Sequence, residues 1–224
     1  MDFLVAPLHD AMVGLTALLT PFAGDLATAG AIVVLTLGVR ALLLPLAVRA
    51  ARGQRARARL APELAELRRR HGADPVRLRE ESAALFRREG VSPLAGFGPA
   101  LLQAPFFLVL YRLCTAGSVA GHQNALLAHT LLGAPLAQNF AGVVGGGLFA
   151  PPSLVFLGLF ALLALVAWWT ARQVPADAPM AGVLRVLPFG TVVAAAFVPL
   201  AAGVYLLTSG LWTAAERAVL TRPA

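Results

Sequence analysis

One arginine, Arg40, stands inside a run that is otherwise uncharged from Ala27 to Ala47. A guanidinium facing lipid costs several kcal/mol, so this one should face a bundle interior or a water-filled cavity. It lies about seven residues from the inner end of the run near Ala47, roughly 10 Å deep. The alternative is a snorkelling anchor whose tip reaches the inner headgroups. Thr36 sits one turn above on the same face. Gln103, about six residues in from Phe97, lies at similar depth, and Thr191, Thr208 and Ser209 add polar groups in later apolar runs. Converging, these residues would line a hydrated pocket closed on the outer side by Phe106, Phe107 and Phe197; otherwise they are glue between helices. The chemistry on offer is electrostatic reception of an acidic or strongly polar group.

Covalent chemistry finds no such constellation. His9, His71, His122 and His129 are scattered without a second ligand at metal spacing. Cys114 is the single cysteine, so no internal disulfide can form. No Lys follows a Gly-rich loop, because the chain has no Lys. Ser209 has no basic partner beyond the distant Arg40. An enzyme is not expected, nor a metal or cofactor.

Such residues need a membrane to position them. Of 224 residues, 58% are hydrophobic and 13% charged, too few polar side chains to cover a soluble domain. All 18 basic residues are Arg, and twelve fall between Arg49 and Arg88. A nucleic-acid surface is one reading of that stretch. It begins and ends directly against apolar runs, however, and so reads as a cytoplasmic loop under the positive-inside bias. No basic n-region or small-residue cleavage site opens the chain, so a cleaved signal peptide is not expected.

The expected fold is an all-α polytopic membrane protein. Residues 1–24 form an amphipathic helix in the outer interface, with a short extra span as the alternative. Residues 27–47 make span 1, long enough at roughly 30 Å to cross the hydrocarbon. Residues 53–90 are too charged to enter and read as a helical hairpin. Pro62 there kinks the first helix or marks its start, Gly72 ends it, and Asp74 with Pro75 starts the second. Spans follow at 97–117 and 152–170, separated by an outer loop at 118–151. The uncharged run from Val186 to Thr213 is too long for one span, and Pro199 and Gly203 suggest a turn. Two helices, 180–198 and 199–218, place Arg217 and Arg222 on the side of the Arg-rich hairpin. That gives five spans, the N-terminus outside and the C-terminus inside.

The run VVLTLGVRALLLPLAVRA, then LAPELAELRRRHGADPVRLREESAALFRREGVSPLAGFGPALLQAPFFLVLY, resembles the core of the YidC family of membrane protein insertases. AFVPLAAGVYLLTSGLW continues the likeness more weakly. The resemblance implies a minimal bacterial member of the inner membrane, active as a monomer. Its five spans would surround a hydrophilic groove open to the cytoplasm and to lipid. Arg40 would receive hydrophilic parts of nascent membrane proteins while their apolar segments enter the bilayer, and Gln103 matches the Gln of the second-span motif. The hairpin, through Arg57, Pro62, Glu63, Arg68, Arg69, Arg70, Arg77 and Arg87, would meet substrates, with the Sec translocon, the ribosome or the signal recognition particle as candidate partners; no direct nucleic-acid specificity is implied. The chain departs from the family at Ala194, Ala195 and Ala196, where aromatic residues are usual, and at Arg112. Its tail after Arg222 is short, which makes ribosome tethering less secure. The competing functions are a small channel or carrier, which would need a path through both leaflets or repeated halves, and a structural subunit of a translocon complex.

Overall fold

The computed structural model describes residues 2–91, 108–109, 111–112, 118–119, 122–123, 128–174 and 181–220. The chain divides into two units, Met1–Ala41 with Pro105–Val219, and Leu42–Ala104 with Leu220–Ala224. Most of the span expected at 97–117, with Gln103, Phe106, Phe107 and Cys114, lies outside the described residues; Leu108, Val109, Tyr111 and Arg112 are helical.

The first unit opens with α1 (Asp2–Ala23), a 3-10 turn at Gly24–Leu26, and the start of α2 (Ala27–Arg59), whose residues from Leu42 on belong to the second unit. A Cβ on Gly30 would lie 3.3 Å from the Leu19 side chain. On one straight helix these positions would be about 16 Å apart, so α1 bends back onto α2 through the turn. Met12 and Thr16 are buried on the inner stripe of α1, whereas Leu18 and Phe22 are exposed. Helix α2 does not stop at Ala47, the expected inner end of the span. Nothing from Val48 to Arg59 breaks a helix, so the backbone continues beyond the apolar run.

Residues 118–151, expected as a loop, hold two short antiparallel ladders. These pair β1 (Ser118–Val119) with β2 (His122–Gln123), and β3 (Thr130–Leu131) with β4 (Ala134–Pro135). Leu132 and Gly133 join the second pair at φ 51° and 83°, the left-handed pair of a two-residue hairpin turn. This hairpin ties two helices together. The ring of His129 is hydrogen-bonded to the hydroxyl of Thr28 at the start of α2. The carbonyls of Gln138 and Leu136 accept from the first free amides of α9 (Leu200–Leu220), Leu200 N at 2.9 Å and Ala201 N at 3.0 Å. Those amides have no partner within their own helix, and in lipid they could not be left bare.

Helix α5 (Phe140–Val144) packs on α6 (Pro151–Arg172) through Phe140, Phe156 and Phe160, with ring centroids 5.3–6.1 Å apart. Helix α7 (Ala181–Val186), a 3-10 turn and α8 (Gly190–Phe197) also pack on α6. The backbone turns extended at Val198, ψ 158°, ahead of Pro199, as the proline ring demands of its predecessor. Gly203 is not part of that turn. It lies inside α9, where a Cβ would meet Leu159 Cδ2 at 2.6 Å, and Gly210 faces Val166 at 3.4 Å. Both pairs advance by seven residues, so α6 and α9 run parallel along a seam with heptad spacing.

Among the described residues, two helical stretches, Pro7–Gly53 and Pro151–Arg172, are long and apolar enough to cross a bilayer, and Ala181–Phe197 is a shorter apolar helix. Leu165, Val193 and Phe197 point outward from these regions, as side chains facing lipid would.

In the second unit, α3 (Ala61–His71) and α4 (Pro75–Arg88) form a helical hairpin. Pro62 lies in the first turn of α3 and marks a start rather than a kink. The Asp74 carboxylate accepts from the amides of Val76 at 3.1 Å and Arg77 at 3.0 Å, capping α4. Leu60 and Leu85 are the buried apolar residues of this hairpin.

Candidate functional site

Thirteen residues into α2, Arg40 turns toward α9, and its Nη2 group donates to three acceptors there. These are the Ser209 carbonyl at 3.1 Å, the Ser209 hydroxyl, and Thr213 Oγ1 at 3.0 Å. Ser209 and Thr213 are four residues apart and so share one face of α9. Thr213 spends its own hydroxyl proton on the Ser209 carbonyl at 2.9 Å, which leaves a lone pair for Arg40. The hairpin β3–β4 holds the N-terminal ends of α2 and α9, so the pairing of Arg40 with α9 rests on a braced frame.

The Nε of Arg40 is buried and has no partner among the described residues. All three of these acceptors on α9 are neutral. No carboxylate forms an ion pair with Arg40 among the described residues. Tyr205 and Glu216 on α9 lie within electrostatic range of it.

The expected polar set is only partly assembled around this charge. Ser209 touches Arg40 directly. Thr36 is buried and donates to Ile32 O at 2.6 Å, and Thr208 is buried and donates to Val204 O at 2.9 Å. Each satisfies its own helix. Thr191 is exposed and bonded to Pro188 O, and Phe197, expected to close the outer side, is exposed. Gln103 lies outside the described residues. Thr213 and Glu216 escaped the sequence reading, although their spacing of four and seven from Ser209 places them on the Arg40 side of α9.

The hairpin residues form a charged surface. Arg88 pairs with Glu63 at 3.1 Å, and Arg70 pairs with Glu66. A cleft of about 270 Å³ runs between them, lined also by Glu81 and Leu85. Arg68, Arg69, Arg77 and Arg87 are exposed. Arg57 lies on α2, beyond the described side chains. Among the described residues, no cluster of three His, Cys, Asp or Glu could hold a metal ion.

A family model described as 60Kd inner membrane protein matches residues 19–224. Among similar proteins is a membrane protein insertase YidC of Zymomonas mobilis, 30% identical over 191 residues, which covers 83% of this chain and 33% of the relative. The namesake from Dinoroseobacter shibae is 32% identical over 168 residues, covering 71% and 28%. YidC 1 of Halalkalibacterium halodurans is 38% identical over 100 residues, covering 43% and 39%. The chain thus spans about a third of the length of these relatives. Together with the apolar helices, the family match makes this a multi-pass inner-membrane protein, and the chain belongs to the YidC/60Kd inner membrane protein family.

Proposed function

We propose that the chain is a membrane protein insertase and chaperone, in which Arg40 receives a hydrophilic segment of a nascent membrane protein and the apolar segment passes into lipid. The observation that carries this reading is the guanidinium within the apolar run of α2, held by neutral acceptors and left without an ion-paired carboxylate among the described residues. A charge kept in such a place is costly and serves a function. In a low-dielectric groove it attracts an acidic segment far more strongly than it would in water. The groove is lined by Arg40, Ser209 and Thr213, with Thr36, Thr208, Thr191 and Gln103 as further polar positions, and opens to the cytoplasm. The α3–α4 hairpin supplies the surface for incoming substrates and for the Sec translocon, the ribosome or the signal recognition particle.

The test is reconstitution of the purified protein into liposomes free of other proteins, followed by protease protection of a short single-span substrate with an acidic tail. Protection above that of empty liposomes is expected; insertion no better than in empty liposomes would overturn the reading.

The proposed topology has five spans, 27–47, 97–117, 152–170, 180–198 and 199–218, with the N-terminus outside. In a Cys114→Ser background, Leu148→Cys should react with an impermeant maleimide only from outside, and Ala83→Cys and Val219→Cys only from inside. These positions carry exposed side chains. Labelling of Val219→Cys from outside alone would remove one span from the count.

A further inference from the structure

From Val91 to the end of the chain the sequence contains two carboxylates, Asp177 and Glu216. Glu216 lies on α9, three residues beyond Thr213, the Arg40 acceptor. Positions three apart on a helix are surface neighbours, about 5–6 Å between Cβ atoms. The carboxylate can therefore reach the guanidinium by a change of rotamer. It is instead held elsewhere: Trp212 Nε1 donates to Glu216 Oε2 at 2.9 Å, in a part-buried contact. At about 100° per residue, Glu216 falls about 60° around the helix from Thr213 and about 40° from Trp212. It stands between the Arg40 face and the Trp212 face, and in the structure its Oε2 serves the Trp212 face.

We propose that Trp212 and Glu216 form a latch that sets the selectivity of Arg40 for acidic cargo: bonded to Trp212, Glu216 leaves Arg40 open, and released from Trp212 it occupies Arg40 as an internal counter-ion. The inference rests on Arg40 as the receiving charge. A resident carboxylate tethered to α9 competes with an arriving one at a high effective concentration. Neutral cargo does not need the free guanidinium and is indifferent to the latch.

Trp212→Phe keeps the aromatic bulk and removes the donor. In the proteoliposome assay it should slow insertion of an acidic-tailed substrate roughly tenfold, since pairing in a low-dielectric site is strong, and leave a neutral-tailed substrate within about twofold. Adding Glu216→Gln should restore the acidic-tailed rate, because the freed side chain no longer carries charge. Glu216→Gln alone should match or exceed wild type on the acidic tail. Should Trp212→Phe insert both substrates equally poorly, with no rescue by Glu216→Gln, Trp212 is a packing residue and the latch is wrong. An unchanged Trp212→Phe beside a defective Arg40→Ala overturns the latch alone. If Arg40→Ala handles the acidic tail as wild type does, the receiving role of Arg40 fails, and the latch with it.

Discussion

Arg40→Ala should lower insertion of an acidic-tailed substrate by roughly ten- to a hundredfold, while Arg40→Lys stays within about threefold of wild type. Arg and Lys are poor substitutes where a planar guanidinium grips a carboxylate with two nitrogens. The geometry at Arg40 is different. One terminal nitrogen, with two hydrogens to share, makes all three hydrogen bonds to α9, to the Ser209 carbonyl, the Ser209 hydroxyl and Thr213 Oγ1. An ammonium carries three donors on one atom, and although its stem is one bond shorter than that of arginine it keeps the positive charge beside these acceptors. Alanine leaves those acceptors without their donor and removes the positive potential from the site. A substrate with a neutral tail should show a smaller defect. Were Arg40 only a snorkelling anchor, both variants would insert every substrate at the wild-type rate while remaining folded. Equal rates for Arg40→Ala and wild type on the acidic tail would remove Arg40 as the receiving residue.

The partners of that charge were less legible than the charge itself. Arg40 is conspicuous in sequence because the run from Ala27 to Ala47 contains no other charge. Ser209 is visible for a similar reason, as a polar residue in an apolar stretch. Thr213 and Glu216 sit toward the C-terminal end of α9, where polar residues of a span are ordinary. Only their register with Ser209 gives them meaning, and register matters once α2 and α9 are known to touch there. Thr36, Thr208 and Thr191 illustrate the opposite problem. Their hydroxyls can bond to the preceding turn of their own helices, so a polar residue in a span need not point its proton at a groove.

Backbone boundaries divide along the same line. Pro62, Asp74 and Pro199 act on neighbouring φ and ψ through local sterics and capping, and the structure has helix boundaries at each. The continuation of α2 to Arg59 was hidden, because the end of an apolar run marks a change of solvent and not a change of conformation. The β3–β4 hairpin was hidden too. Two-residue strands are too short to show alternation, and a Leu-Gly turn lacks the Asn or Asp that usually announces one. Yet this hairpin caps the free amides of α9 and touches the start of α2, so the alignment of Arg40 with Ser209 depends on a feature that only the fold reveals.

That alignment also depends on how closely α9 approaches α6, and Gly203→Val should break it. Helices in lipid gain little from apolar burial, so close van der Waals packing holds them together. At Gly203 a Cβ would stand 2.6 Å from Leu159 Cδ2, and Leu159 is itself buried in the cluster that contains Phe156 and Leu163. Leu159 therefore has no open space to enter, and the added branches push the helices apart at a cost of about 1–3 kcal/mol. Gly210 provides the control on the same seam. Its added Cβ would meet Val166 at 3.4 Å, an ordinary contact, and Ala is a better helix former than Gly by about 0.5–1 kcal/mol. Gly210→Ala should thus be neutral or stabilising. Ser209 and Thr213 lie within three turns of Gly203 on α9, so a displaced helix would also stretch the hydrogen bonds that Arg40 makes at 3.0–3.1 Å, and insertion of the acidic-tailed substrate should fall together with stability. The measurement is the unfolding midpoint in nanodiscs for Gly203→Val, Gly210→Ala, Leu159→Ala and the Gly203→Val/Leu159→Ala pair. Trimming Leu159 makes room for the valine, so the pair should be more stable than the sum of the single effects by about 1 kcal/mol or more. Additive losses, or a Gly203→Val protein as stable as Gly210→Ala, would mean that this seam does not set the position of α9.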